Sequence, residues 1–243
     1  MLRLLSLQCA GGPDQMCLDE ALLDRSAQAT CRLYRWQPAT VSLGYFQDYQ
    51  AIVAQLPPGM PVVRRITGGG AIWHEHEITY SIVYHSGVDL PTQQTEVFAR
   101  LHGAIQAAVR ALGGRDLGRQ VMSTGDRRYR EEPRCFASPA KDDLIDAAGA
   151  KILGSAARQR GERCLIHGSL KLASNPWDGD AVAGCGLDAD SAIAALQRAV
   201  SSALDLPLRP GELTTAEQAR WQELKRLRYG DEAWVQRRQG PRA

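Results

Sequence analysis

Arg64-Arg65-Ile66-Thr67-Gly68-Gly69-Gly70 places two guanidinium groups just ahead of three consecutive glycines. Glycine tolerates φ > 0 and lacks a Cβ, so backbone N–H groups in such a run can close around a polar ligand. Paired arginines at its entrance are fixed cations suited to a carboxylate or a phosphate. The same residues would also serve a tight hairpin turn with two surface arginines. His74 and His76 follow, alternating with Glu75 and Glu77. In an extended segment the histidines share one side and the glutamates the other. Two histidines without a convergent third ligand make a weak metal signal, and a hydrogen-bonded pair is the simpler reading, so no metal is assigned.

Three more segments cluster in the second half. Cys135-Phe136-Ala137-Ser138-Pro139 lies in a loop before a strand, Lys151-Ile152-Leu153-Gly154-Ser155-Ala156 opens a hairpin arm, and His167-Gly168-Ser169-Leu170 lies in the arm that pairs with it. Strand alternation predicts Lys151, Leu153 and Ser155 on one face and Ile152 and Gly154 on the other. A glycine in mid-strand signals close approach by a backbone or a ligand. An edge lysine reaching solvent would account for Lys151 but leave Gly154 unexplained. Ser155 is read as a hydrogen-bonding support, because no Gly-x-Ser-x-Gly elbow marks it as a nucleophile. His167 is either a base or a structural histidine bonded within the sheet.

These residues need a scaffold, and apolar periodicity outlines it. Leu2 to Leu7, Arg32 to Trp36, Thr40 to Leu43, Pro61 to Arg65, Ala71 to Trp73 and Ile78 to His85 read as strands. Leu144 to Asp146, Lys151 to Arg158 and Cys164 to Leu172 add three, with Gly149 and Gly161 in the turns. Helices are predicted over Asp14 to Ala27, Thr92 to Leu112, Asp190 to Leu204 and Thr214 to Tyr229, the last opened by a Thr214/Glu217 capping box. The pattern is α+β: a mixed, mostly antiparallel central sheet flanked by helices. Residues 1–235 read as one catalytic domain and 236–243 as a charged, frayed tail.

Composition excludes several classes. A net charge of +2 gives no nucleic-acid signature, and no run of residues reaches membrane-spanning length. The basic run Arg127, Arg128, Arg130 and Arg134 reads as a solvated loop or as a docking site for an acidic carrier protein. Six cysteines without Cys-x-x-Cys spacing read as reduced thiols of a cytoplasmic protein.

Arg64-Arg65-x-Thr67-Gly68-Gly69-Gly70-x-x-x-His74, Lys151-x-x-Gly154-Ser155-Ala156 and His167-Gly168-Ser169 together resemble the lipoate–protein ligase and octanoyltransferase superfamily. Asp19-Glu20-Ala21-Leu22-Leu23, Thr40 to Gln47 and the segment from Leu213 to Trp234 agree with it, so the likeness spans nearly the whole chain. The resemblance implies a catalytic domain like that of biotin–protein ligases, with an acyl tunnel under the glycine loop. It implies attachment of an octanoyl or lipoyl group to a lysine of a lipoyl carrier domain. Such carriers include the glycine-cleavage H protein and the acyltransferase subunits of 2-oxoacid dehydrogenases. It assigns Arg65, Gly68, Gly69 and Gly70 to the acyl pocket, with His74 ordering the loop and Gly154, Ser155, His167 and Gly168 beside it.

Within the superfamily, Cys135-Phe-x-Ser-Pro resembles the branch that takes its acyl group from octanoyl–acyl carrier protein through a cysteine thioester. Cys135 is then the nucleophile. Lys151 is the cation that favours its thiolate and contacts the acyl carbonyl. This reading needs no cofactor and expects a monomer. Cys185, in Gly184-Cys185-Gly186, resembles the nucleophile of another branch and is the rival; Cys164 reads as packing. The alternatives are an ATP- and Mg-dependent lipoate ligase acting through an acyl-adenylate, a lipoyl amidotransferase, and a non-catalytic protein that binds acyl carriers.

Overall fold

The protein is described by a computed structural model covering residues 1–91, 93–123 and 131–238. Thr92, Arg127, Arg128, Arg130 and residues 239–243 lie outside the described residues. The chain opens with β1 (Leu2–Ala10), α1 (Gly12–Arg25), β2 (Thr30–Trp36), β3 (Thr40–Leu43) and α2 (Tyr49–Val53). It continues with β4 (Val62–Arg64), β5 (Ile72–His74), β6 (Glu77–His85), α3 (Gln94–Ala111) and β7 (Gly118–Arg119). The second half holds β8 (Leu144–Ile145), β9 (Lys151–Arg160), β10 (Arg163–Lys171), α4 (Ala189–Leu204), β11 (Leu208–Gly211), α5 (Thr215–Leu224) and α6 (Glu232–Arg237).

Eight strands form one sheet in the order β11-β1-β2-β6-β10-β9-β8-β7. β1 runs parallel to both β11 and β2, and every other pairing in this sheet is antiparallel. β4, β3 and β5 form a second, three-stranded sheet. So β2 and β3, consecutive in sequence, enter different sheets, and the site lies where the two sheets face each other.

The amphipathic helices sort by face. α3 and α4 bury Leu101, Ile105, Leu196 and Val200 against one side of the large sheet with Ile82, Leu153 and Ile166. On the other side, α1 packs Met16, Leu18 and Leu22 with Tyr34, Leu165, Tyr229 and Trp234. The capping box is formed: the Glu217 N–H donates to Thr214 Oγ1 at 3.2 Å, and the Thr214 N–H donates to Glu217 Oε2 at 2.8 Å. A π-helical turn, Lys225–Tyr229, carries α5 on into α6. The charged segment after Trp234, expected to fray, is therefore helical as far as Arg237, and Trp234 anchors it by donating from Nε1 to the Arg64 carbonyl at 3.0 Å. No helix among the described residues is long and apolar enough to cross a membrane.

Candidate active site

A one-residue bulge decides where Lys151 goes. Leu144 pairs with Leu153, but the next residue, Ile145, pairs with Lys151, so β9 carries an extra residue there. The expected alternation breaks at this point. Ser155 stays on the α3 face, where its hydroxyl meets Tyr80 Oη at 2.5 Å and His102 Nε2 at 2.7 Å. Lys151 turns to the opposite face and passes over Gly154. A Cβ on Gly154 would lie 2.5 Å from Lys151 Cε and 2.6 Å from Nζ. The close approach foreseen for Gly154 is thus made by the lysine itself. Gly168 serves the other face: a Cβ there would meet Ser155 Oγ at 2.5 Å and Tyr80 Oη at 2.7 Å.

The Lys151 side chain is buried. Its ammonium lies 2.7 Å from Asp143 Oδ2, donates to the Cys135 carbonyl at 3.2 Å, and sits 3.6 Å from Cys135 Sγ. Backbone pairing brings the cysteine there. The Ala71 N–H donates to Pro133 O and the Cys135 N–H to Ala71 O, both at 2.8 Å, so this loop runs beside the chain leaving the glycines. The buried Phe136 ring receives the Lys151 and Lys171 ammoniums, each 4.9 Å from its centroid. Cys135 keeps partial exposure, whereas Cys17, Cys31, Cys164 and Cys185 are buried. Burial raises the Cys185 thiol above its ordinary range, and its side chain belongs to the core under α4.

The two arginines divide between scaffold tasks. Arg64 donates from Nε to Val235 O at 2.8 Å and from Nη1 to Gln47 O at 2.7 Å, tying α6 to the β3–α2 loop. Arg65 donates to the carbonyls of Gly68 at 2.8 Å and Gly70 at 2.7 Å. The expectation that both guanidiniums present charge to a ligand is corrected for Arg64, and Arg65 turns the glycine-loop carbonyls onto itself. Arg65 also donates to Thr67 Oγ1 at 3.1 Å and Ser42 Oγ at 3.1 Å. Those two hydroxyls in turn meet His167 Nε2 and His74 Nε2, each at 2.7 Å. Gly44 fits against the loop because a Cβ there would lie 1.9 Å from Gly69 O.

His167 and His74 are each oriented by a buried carboxylate. His167 Nδ1 donates to Asp19 Oδ2 at 3.0 Å, and Asp19 also receives Arg32 Nη1 at 2.8 Å and Tyr34 Oη at 3.0 Å. Burial alone would raise the Asp19 pKa, but Arg32 and His167 outweigh it and hold the carboxyl below its ordinary value. His74 Nδ1 donates to Glu77 Oε1 at 2.7 Å while its ring stacks on Trp36 at 3.7 Å. Burial pushes the His74 pKa down to about 4, against the pull of Glu77. Glu77 stays ionised beside Lys171 Nζ at 2.5 Å. The expected pairing of His74 with His76 is not formed. His76 adopts φ 50 and its side chain is 58% exposed, so the extended run ends at His74.

These groups line a cavity of about 60 Å³ between the two sheets. Met16, Tyr34, Trp36 and Ile72 supply apolar wall, and Cys135, Lys151 and Asp143 the charged and nucleophilic edge. Arg65, Gly69, His74, Gly154, Ser155, His167 and Gly168 also border it, while Gly68 and Gly70 hold the loop from behind. Sequence reasoning placed Asp19 and Thr67 in its motifs without giving them a site role, and missed Tyr34, Trp36 and Asp143. Asp19, set at helical spacing among Met16, Leu22 and Leu23, and Asp143 directly before an apolar strand, were the available signals.

The arrangement joins a partly apolar cavity to a cysteine–lysine pair at its edge. Residues 12–203 match the family of the lipoyl protein ligase A/B catalytic domain, and the chain belongs to that family. It is 31% identical to octanoyltransferase LipM of Moorella thermoacetica across 97% of this chain and 98% of the relative. It is 38% identical to octanoyltransferase LipM of Lysinibacillus sphaericus across 65% of this chain and 60% of that protein. Among solved structures, protein Ta0514 of T. acidophilum with bound lipoic acid superposes with a TM-score of 0.79 at 26% identity, covering 96% of this chain and 98% of that one. A lipoate–protein ligase A bound with ATP shares the fold at a TM-score of 0.78 and 24% identity, covering 96% and 98%.

Proposed function

We propose that the protein is an octanoyltransferase that carries an octanoyl (or lipoyl) group from acyl carrier protein to a lysine of a lipoyl carrier domain, through a thioester on Cys135. The observation that carries this reading is the 3.6 Å approach of Lys151 Nζ to the Cys135 thiol at the edge of a partly apolar cavity. The names of the similar octanoyltransferases support the reaction class.

A thiolate, not a thiol, is the attacking species, and an adjacent ammonium favours it. The Cys135 thiolate attacks the octanoyl thioester carbonyl. A tetrahedral oxyanion forms beside the Lys151 ammonium and collapses, expelling the carrier thiolate, which takes up a proton. The neutral amine of the acceptor lysine then attacks the enzyme thioester. The new amide forms, the Cys135 thiolate leaves, and the amine proton passes to a base or to water. One preorganised donor to such an oxyanion is worth about 3 kcal/mol of barrier. Each buried methylene of the acyl chain adds about 0.8 kcal/mol of affinity. A thioester already carries the activation an amide requires, so the sequence needs neither ATP nor Mg.

The test is an ATP-free assay. Purified protein is incubated with octanoyl–acyl carrier protein and an unmodified lipoyl carrier domain, and every species is weighed. Octanoylation of the carrier domain without nucleotide is expected. Modification that occurs only with free lipoate or octanoate plus ATP and Mg would establish the ligase reading instead.

A further inference from the structure

The turn ahead of β8 is built under strain. Asp142 adopts φ 74, a left-handed conformation unfavourable for a residue with a side chain. Separate contacts hold it there. Its N–H donates to Gln120 O at 2.9 Å, its carbonyl accepts from His102 Nδ1 at 2.8 Å, and its carboxylate pairs with Arg119. Strain kept in place by several neighbours points to a function for what it carries. What it carries is Asp143, whose carboxylate is buried in the cavity wall. Asp143 Oδ2 accepts the Ala140 N–H at 2.6 Å and faces Lys151 Nζ at 2.7 Å.

We propose that Asp143 is a positioning residue, holding the Lys151 ammonium beside Cys135 so that the cation is in place before the thioester carbonyl arrives. The inference rests on the reading of Cys135 and Lys151 given above. A lysine has a flexible four-carbon stem, and its ammonium needs an anchor to be preorganised. The carboxylate supplies that anchor and at the same time tempers the positive field at the thiol. Other charged or titratable groups face the pair, and of these His102 also feels the Asp143 charge. Lys171 lies across the Phe136 ring, Arg134 with its partner Glu132 precedes the cysteine, His102 lies behind β9, and His167 borders the same cavity.

Asp143→Asn keeps shape and removes charge, so the two roles separate. Transfer from octanoyl–acyl carrier protein falls by about a hundredfold, the cost of a cation out of line by about an ångström. The pH profile of iodoacetamide labelling of Cys135 moves, because the charge that faces the lysine beside the sulfur is gone. Labelling is read by peptide mass, since Cys9 is exposed and also reacts. Wild-type transfer in the Asn variant, or slower transfer with an unmoved labelling profile, would overturn the proposal. Should the Asn variant not fold, Asp143→Glu serves. It retains the charge one methylene further out, so the labelling profile stays at the wild-type position while transfer falls. Wild-type transfer in this variant would count against the assignment. The parent reading fails separately: no octanoyl adduct on Cys135 in wild-type protein removes it, and this inference with it.

Discussion

A methyl group at position 154 would occupy the space through which the Lys151 side chain passes. Its nearest neighbours are the flexible end of that lysine, Cε at 2.5 Å and Nζ at 2.6 Å, so the fold can accommodate Gly154→Ala by moving the ammonium. The expected outcome is an enzyme that melts within a few degrees of wild type but transfers octanoate about a hundredfold more slowly. A thermal melt and a turnover assay on the same sample check this, and unchanged turnover would contradict the placement of the lysine. Lys151→Met keeps the length and apolar bulk of the stem while removing the charge. It should cost about 10²–10³ in kcat, the range for losing one oxyanion donor. Cys185 offers the converse case. It is buried in the α4 core with its thiol raised by burial, so Cys185→Ala should preserve turnover, measurable in the same assay.

Between elements, the glycine loop is held as a unit. Arg65 gathers the Gly68 and Gly70 carbonyls, and Gly44 lets the β3–α2 loop close on Gly69. In Gly44→Ala the new Cβ would meet a backbone oxygen at 1.9 Å, which has no flexible end to yield. A loss of about 2 kcal/mol follows, or roughly 4–8 °C in Tm, and calorimetry tests it. Much at this scale was legible in the sequence. The strands from Leu2 to His85 and the β9–β10 hairpin show as short apolar runs bounded by turn residues, β6 and β10 being buried along nearly their whole length, and the long helices α3 and α4 show an apolar stripe at helical spacing. The β9 bulge was not legible, since one inserted residue leaves no mark on composition yet reverses which residues share a face with Lys151. β11 and α2 were missed for a related reason. At Leu208–Gly211 and Tyr49–Val53 they are too short to show a period, and tertiary pairing defines them. The roles of Asp19 and Asp143 were not legible because a carboxylate reads as solvated until the fold supplies its cation.

At the scale of the whole molecule, the site's buried histidines couple stability to pH. His74 is neutral in the fold, with its pKa pushed by burial down to about 4, whereas an unfolded histidine titrates near 6.5. His102 is displaced in the same direction, also by burial. As pH falls below about 6.5 the unfolded chain takes up protons that the folded chain refuses. The stabilisation is complete above that pH and is lost toward pH 4. His74 alone accounts for about 2 kcal/mol of that loss by pH 5. Urea midpoints at pH 7 and pH 5 measure it, with a lower midpoint at pH 5 expected and equal midpoints contradicting it. The aspartate and glutamate that orient the two site histidines hold pKa values below the ordinary range, so their contribution disappears at still lower pH.

One mass measurement addresses the central claim directly. Wild-type protein is mixed with octanoyl–acyl carrier protein alone, without nucleotide or acceptor, quenched in acid, and weighed intact and as peptides. The account predicts one octanoyl group in thioester linkage on the peptide that contains Cys135, absent from Cys135→Ser and discharged on addition of a lipoyl carrier domain. An adduct confined to Cys185, or a carrier domain octanoylated at full rate by Cys135→Ser, would contradict it.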